Sequence, residues 1–298
     1  MIQDISPRHL DNQFKWIAPQ ENDIILMFEG SSVLAKWQEE RIFYPDYAEF
    51  CKNADTSQYT FLYLLSVDEI QYFLAMKKNE VLQGSFQGEF SDAKVHKEYS
   101  SELPGYEFIG INMFRKAAPK YRAFAAITAY HLYGWYRDNR FCGRCGKPMI
   151  HDHKERMVKC ECCNNMVFPK ICPAVIIGVT NGDKLLLTKY AGRTYKNYAL
   201  VAGFTEIGET FEQTVEREVM EEVGLKVKNI RYYKSQPWAL SGSLLAGFFC
   251  ELDGSDEIRL QEEELALGTW VKAADLELED DGISLTREMI LTFKAEHK

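Results

Sequence analysis

The chain of 298 residues is 46% hydrophobic and 27% charged, which excludes a disordered chain and gives length enough for two or three domains with cores of their own. Its 44 acidic against 35 basic residues leave a net charge of -9, which argues against a non-specific grip on nucleic acid and stays compatible with a small phosphate substrate neutralised by metal. The opening residues hold no basic region followed by an apolar run, and no stretch reaches the roughly 20 apolar residues of a membrane span, so the expected location is the cytoplasm, with no membrane partner.

Residues 1 to 116 predict a mixed, mostly β N-terminal domain, with strand-like runs at Asp23 to Phe28, Ser32 to Lys36, Tyr59 to Leu65 and Ile70 to Met76 between polar turns. Its Tyr and Phe residues read as core, and no catalytic constellation stands out. The Ala- and aromatic-rich stretch that follows predicts a connecting helix, 117 to 138, starting after Pro119. His131 on it reads as a packed or capping imidazole, and Arg115 and Arg122 as surface arginines with some chance of touching a ligand.

Residues 139 to 172 carry two C-x2-C knuckles, Cys142 with Cys145 and Cys160 with Cys163, fourteen residues apart. Eight cysteines in a chain without an export signal read as metal ligands rather than disulfides, and two such knuckles set four thiolates around one Zn²⁺. No position is left open for water, so the zinc is expected to be structural, contributing on the order of 10 kcal/mol of folding free energy. Cys162 is a less well spaced substitute for Cys163, while Cys51, Cys172 and Cys250 read as small buried hydrophobes.

The last stretch, 173 to 298, begins with an apolar run, Ala174 to Thr180, that turns through Asn181-Gly182-Asp183 into Lys184 to Lys189. Ala199 to Ala202 predicts a strand that enters GFTEIGETFEQTVEREVMEEVGL, Gly203 to Leu225, where seven glutamates and one arginine fall between Glu206 and Glu222. Thr210 with Gln213 forms a capping-box signal and Gly224 suits a left-handed cap, so a helix is expected from Phe211 to Val223. At about 100° per residue Glu218, Glu221 and Glu222 share one arc beside an apolar stripe of Phe211, Val215, Val219 and Val223, leaving the carboxylates at the lip of a cleft. Hard oxygen donors in that arrangement suit Mg²⁺ or Mn²⁺.

Beyond the helix, Val227 to Lys234 predicts a strand running into a loop, Ser235 to Ser243, whose exposed Ser-Gln pair and Trp238 offer hydrogen bonding and stacking to a nucleotide. A strand at Leu244 to Leu252, three glutamates between Leu260 and Leu265, and an amphipathic helix at Leu285 to Ala295 complete the chain. The whole predicts an α+β or α/β protein, an α/β/α sandwich preceded by a four-cysteine zinc ribbon and a mostly β domain.

The string G-x5-E-x7-R-E-V-x-E-E-x-G-L resembles the Nudix box at every defining position. With the ribbon before it and Ser-Gln-Pro-Trp after it, residues 115 to 298 resemble the NADH pyrophosphatase family of Nudix hydrolases. The resemblance implies that the Ala202 carbonyl and the carboxylates of Glu218, Glu222 and Glu264 hold the catalytic metals. Glu221 would join as ligand or base, and Glu221 or Glu222 would take the proton of the attacking water. Arg217 is expected to pair with Glu209 and hold the loop.

Glu155, Phe168, Phe204, Gln236, Pro237, Trp238, Ala239, Leu240, Ser241, Gly242, Ser243 and Thr286 would line the substrate pocket. Ala239, Leu240 and Ser241 replace the family's usual Pro-Phe-Pro, a departure that bears on selectivity rather than on catalysis. The implied reaction is hydrolysis of NADH or NAD⁺ to NMN(H) and AMP by a homodimer. Removal of the NAD cap from RNA and cleavage of ADP-ribose or dinucleoside polyphosphates are the alternatives within the class. A zinc-ribbon adaptor joined to a ligand-sensing Nudix domain is the alternative outside it.

Overall fold

The computed structural model describes residues 1–78, 103–191, 198–261, 263 and 265–297. In chain order the first part carries β1 (Leu10–Asp11), β2 (Ile24–Leu26), β3 (Phe28–Glu29), β4 (Ser32–Gln38), β5 (Arg41–Phe43), α1 (Tyr47–Asn53), β6 (Tyr59–Val67), β7 (Ile70–Lys77) and β8 (Glu107–Gly110). They form two small sheets, one ordered β1-β6-β7-β2 and one ordered β3-β4-β5 with β8 beside β4. Helix α2 (Lys120–Asp138) starts directly after Pro119 and buries Phe124, Ile127, Tyr133 and Trp135 against Leu62, Leu64 and Leu74 of the first sheet. Each such large side chain contributes roughly 1.5 to 3 kcal/mol on burial, which fixes α2 to the sheets along its length.

A three-stranded ribbon follows, β9 (Ile150–His151), β10 (Val158–Lys159) and β11 (Met166–Val167). Arg156 roots it in the first domain by donating to the Leu64 carbonyl, and Trp16 stacks on His153 with ring centroids 4.2 Å apart.

The third part contains β12 (Cys172–Asn181), β13 (Lys184–Tyr190), β14 (Val201–Phe204), α3 (Phe211–Val223), β15 (Val227–Trp238), β16 (Ser243–Leu252), β17 (Leu265–Lys272) and α4 (Leu285–Glu296). Its six-stranded sheet is ordered β15-β16-β12-β13-β17, with β14 also on β12, so that one edge of β12 is divided between β14 at Ala174 to Ile177 and β13 at Thr180 and Asn181. Because β12 is covered on both faces, its Val and Ile residues run on without polar alternation. Val175, Ile177 and Val179 meet Val215, Val219 and Val223 of α3, whereas Ile176 meets Leu285, Met289 and Ile290 of α4. This is the expected α/β/α sandwich.

Two expected boundaries differ. Ala199 makes only an isolated bridge to Thr188, and the strand there is Val201–Phe204, two residues later than expected. The supposed loop from Ser235 is mostly strand, since β15 continues through Gln236 and Pro237 to Trp238. As the outermost strand, β15 tolerates a proline with no N–H to donate. The first and third parts are also tied directly: Ile2 N donates to the Ile283 carbonyl at 3.0 Å. No helix among the described residues is long and apolar enough to cross a membrane.

Candidate active site and metal centre

The ribbon centre is built from two matching turns. Gly146 and Asn164, at φ +71° and +56°, close them; Gly146 N donates to the Cys142 carbonyl at 2.8 Å and Asn164 N to the Cys160 carbonyl at 2.9 Å. These left-handed residues fold each knuckle back so that both of its thiols point inward. Cys142 Sγ lies 3.6 Å from Cys163 Sγ, Cys145 Sγ lies 3.4 Å from Cys160 Sγ, and all four sulfurs fall within 4.8 Å of one another. Bonds of about 2.3 Å to a tetrahedral zinc place sulfurs about 3.8 Å apart, so the cage fits that ion. Arg144 N, 3.4 Å from Cys142 Sγ, is aimed to stabilise thiolate charge. Cys162 is exposed and outside the cage, so Cys163 supplies the fourth sulfur of the group. Of the other cysteines, Cys250 is buried and its thiol pushed up to about 12 by that burial, Cys172 is half-buried, and Cys51, expected buried, is exposed.

The second cluster sits where β14 runs into α3. The helix begins with the expected reciprocal capping, Gln213 N to Thr210 Oγ1 at 3.2 Å and Thr210 N to Gln213 Oε1 at 2.9 Å. It ends at Gly224, φ +69°. Its glutamates differ in burial: Glu218 and Glu222 are 9% and 3% exposed, whereas the Glu221 side chain is 52% exposed. Two of the three expected lip carboxylates therefore lie inside, because the apolar stripe draws that side of the helix onto the sheet. Glu218 packs so tightly on β14 that a Cβ on Gly203 would overlap its carboxylate.

Arg217 organises the rest. Its Nε and Nη2 hold the two Glu209 oxygens at 2.6 and 2.9 Å, its Nη1 reaches Glu218 at 2.8 Å and Glu221 at 2.9 Å, and its Nη2 also donates to the Phe204 carbonyl at 2.9 Å. Glu209 further accepts from Glu206 N and Thr214 Oγ1, both at 3.0 Å. The guanidinium, ahead of these other donors, holds the Glu209 carboxyl down at about 2. Its pairing with Glu209 was expected; the links to Glu218 and Glu221 were missed, although Glu221 stands four residues on, one helical turn away. Thr214 was missed too, with no local signal beyond its polar character on a buried face.

Among the described residues, four carboxylates, Glu209, Glu218, Glu221 and Glu222, gather around the one guanidinium of Arg217, and buried carboxylates are costly unless balanced. Carboxylate oxygens alone make a donor set for a hard divalent ion. Glu264 lies outside the described residues. Its described neighbour Gln261 donates its N–H to the Glu222 carbonyl at 3.0 Å, and Ala202, half-buried, stands opposite Ile176 on the last turn into Gly203.

The expected pocket residues divide. By strand register Phe204 pairs with Ala174 and Trp238 with Ser243, on the same face as α4, whose first turn carries half-buried Thr286. Phe204 and Pro237 are exposed, Trp238 half-buried, Ser241 exposed and Gly242 half-buried.

Gln236 was expected at an exposed position and is fully buried. Its amide donates to Gln3 Oε1 at 3.0 Å and the Ile283 carbonyl at 2.7 Å and accepts from Leu285 N at 2.8 Å, so it pins the start of α4. Ala239 and Leu240 pack into the core of the first domain, and Ser243 is buried with its hydroxyl 2.8 Å from that of Ser241. Glu155 sits on the exposed ribbon tip beside the first domain, and no hydrogen bond or ion pair among the described residues joins its side chain to the sandwich. Phe168 is exposed where the ribbon leads out to β12. Arg122 is spent on the Ile42 carbonyl at 3.0 Å.

Residues 170–293 match the NUDIX domain and residues 137–168 the NADH pyrophosphatase zinc ribbon domain. The chain thus carries a Nudix domain. It joins that domain to a zinc ribbon domain of the NADH pyrophosphatase type directly before it. Curated relatives include proteins named NAD-capped RNA hydrolase NudC from Mannheimia succiniciproducens, 43% identical over 46% of this chain and 54% of that protein, and from Actinobacillus succinogenes, 43% identical over 51% of this chain and 60% of that protein. The chain therefore spans a little over half the length of these relatives. Among solved structures, a NUDIX hydrolase from Nitrosomonas europaea aligns with a TM-score of 0.45 at 22% identity, over 53% of this chain and 91% of that one.

Proposed function

We propose that the protein hydrolyses the pyrophosphate linkage of a dinucleotide, NADH or NAD⁺, to NMN(H) and AMP. The observation that carries the reading is the carboxylate cluster wedged between α3 and Gly203, with Arg217 spread over Glu209, Glu218 and Glu221. In this reading Glu218, Glu222, the Ala202 carbonyl and Glu264 hold Mg²⁺ or Mn²⁺; Gln261, three residues before Glu264, is bonded to Glu222. The bound divalent ions supply Lewis acidity toward the phosphate oxygens and lower the pKa of a coordinated water.

The chain's own groups do the rest. Glu221 or Glu222 accepts the water's proton. Arg217, tied to four partners, fixes the turn from Phe204 to Glu209 rather than touching substrate. Phe204, Trp238 and Thr286, gathered on one face, receive the nucleoside ends, and Pro237, Ser241 and Gly242 border them. The ribbon's Glu155 and Phe168 are placed by us at the outer rim. The division into 1–116, 117–138, 139–172 and 173–298, a homodimeric state and a cytoplasmic location belong to the same proposal.

Incubation with NADH, NAD⁺, ADP-ribose and NAD-capped RNA in Mg²⁺ and in Mn²⁺, with products separated by chromatography, tests it. NMN(H) with AMP is expected from the first two; no cleavage of any substrate overturns the hydrolase reading. The names of the relatives favour removal of the NAD cap from RNA as the second reading, which breaks the same bond. Release of NMN from capped RNA far faster than from NAD⁺ would promote it.

A further inference from the structure

The role of the first domain is not accounted for by the carboxylate cluster, yet that domain grips one wall of the site. The turn after β15 is seated on it: Ala239, 9% exposed, and Leu240 enter the core made by the first sheet and α2. Gly242 stands over the ring of His131, where a Cβ would come within 3.2 Å of Nε2, and that nitrogen is 2.9 Å from the Lys170 carbonyl. Trp238 is thereby held from the side of the first domain. Over its ring, 5.3 Å from the centroid, lies the guanidinium of Arg115, from the 3-10 turn Ile111–Lys116.

Arg115 differs from the arginines around it. Arg217 meets three carboxylates and Arg122 is spent on a main-chain carbonyl. Arg115 is half-buried, and among the described residues no carboxylate lies within ion-pair distance of it. A half-buried guanidinium lying over an indole can still offer the N–H groups at its edge to a phosphate. In a chain of net charge -9, a cation with no carboxylate partner among the described residues, set beside an aromatic platform, is a local reversal of sign. The register also places Phe204 and Gln236 in one row across β14, β12, β16 and β15, three strand spacings or about 14 Å apart, so Trp238 and Phe204 border a span that an extended dinucleotide bridges.

We propose that Arg115 is a substrate-recognition residue contributed by the first domain: its guanidinium, held over Trp238, takes the phosphate of a nucleotide whose ring lies against the indole. This rests on the dinucleotide reading above, and it makes the first domain the second jaw of the substrate site. The substrate's phosphate, not its ring, is what Arg115 recognises.

The test is calorimetric titration of the full chain with AMP, NMN and their phosphate-free nucleosides, using wild type, Arg115→Lys and Arg115→Met, with unfolding midpoints measured alongside. Arg115→Met keeps the packing stem and removes the charge. It is expected to weaken at least one of AMP and NMN roughly tenfold or more while leaving nucleoside binding unchanged, with Arg115→Lys intermediate. Equal weakening of nucleotide and nucleoside would mean that Arg115 only positions Trp238 and would overturn the proposal. Unchanged nucleotide binding with a wild-type midpoint would overturn it as well. These titrations need no turnover, so a chain that cleaves none of the substrates above but loses phosphate affinity on Arg115→Met would sink the hydrolase reading and leave the recognition site standing.

Discussion

The cysteines of the ribbon and the carboxylates of α3 are two candidate metal-ligand clusters in one chain, prepared in different ways. The four cysteines sit on turns set by Gly146 and Asn164, and their sulfurs are gathered within 4.8 Å by local backbone geometry. The carboxylates come from a helix and from the turn before it, are buried unequally, and are bridged by the cation of Arg217. A cage complete in itself suits an ion that never leaves. A cluster in which carboxylates outnumber the cations among the described residues suits ions that arrive with a phosphate and share its oxygens. The first arrangement suits a structural role, and the second a site for chemistry.

Breaking either cluster should separate these roles. Cys160→Ser has the largest expected effect: loss of bound zinc by elemental analysis, with a destabilisation of several kcal/mol, up to the order of 10 kcal/mol. One zinc per chain and an unchanged unfolding midpoint would end the structural assignment. Glu222→Gln should lower kcat by about a hundredfold or more while the zinc content and the midpoint stay close to wild type. Near-normal turnover would remove Glu222 from the chemistry.

Gly203→Ala acts between the two extremes. Its new methyl displaces the Glu218 carboxylate, so activity should fall together with about 1 to 3 kcal/mol of stability, while zinc is retained. An alanine variant with full activity would show that Glu218 need not lie against β14. The smallest effect is acid sensitivity. The Glu209 carboxyl is held at about 2 against an ordinary 4.5, so its stabilising contribution is complete above 4.5 and is lost as pH falls toward 2. Glu209→Gln should therefore lower the melting temperature near neutrality, where the Arg217 pairing is lost, and flatten the acid limb, so that the two profiles converge as pH falls toward 2. An acid limb unchanged by the substitution would assign it elsewhere.

What the sequence revealed is whatever is decided locally. The limits of α3 follow from Thr210, Gln213 and Gly224, which cap the helix from within its own neighbourhood, and the knuckles follow from cysteine spacing. Strand β15 was cut short in the reading because Pro237 signals a loop; that it lies on the sheet edge, where proline is tolerated, depends on partners far along the chain. Gln236 looked exposed for the same reason, since its burial is created by Gln3 and by the first turn of α4. Helix α1 and the short strands β1, β5 and β8 were not foreseen, being too brief for periodicity to register. The site's ligand types were legible and its burial was not, because burial is set by how α3 settles on the sheet.

The amide of Gln236 also bears on how the protein assembles. Its bond to Gln3 spans 233 positions, and the same side chain closes the first turn of α4. Contacts of that separation carry a high loop-closure cost and form late. The two small sheets can therefore collapse early, but their register against the sandwich waits for β15 and α4 to exist. Once joined there, the first domain and the sandwich should melt as one cooperative unit, with Gln236 as one of the stitches that couple them, beside the Ile2–Ile283 bond and the seating of Ala239 and Leu240.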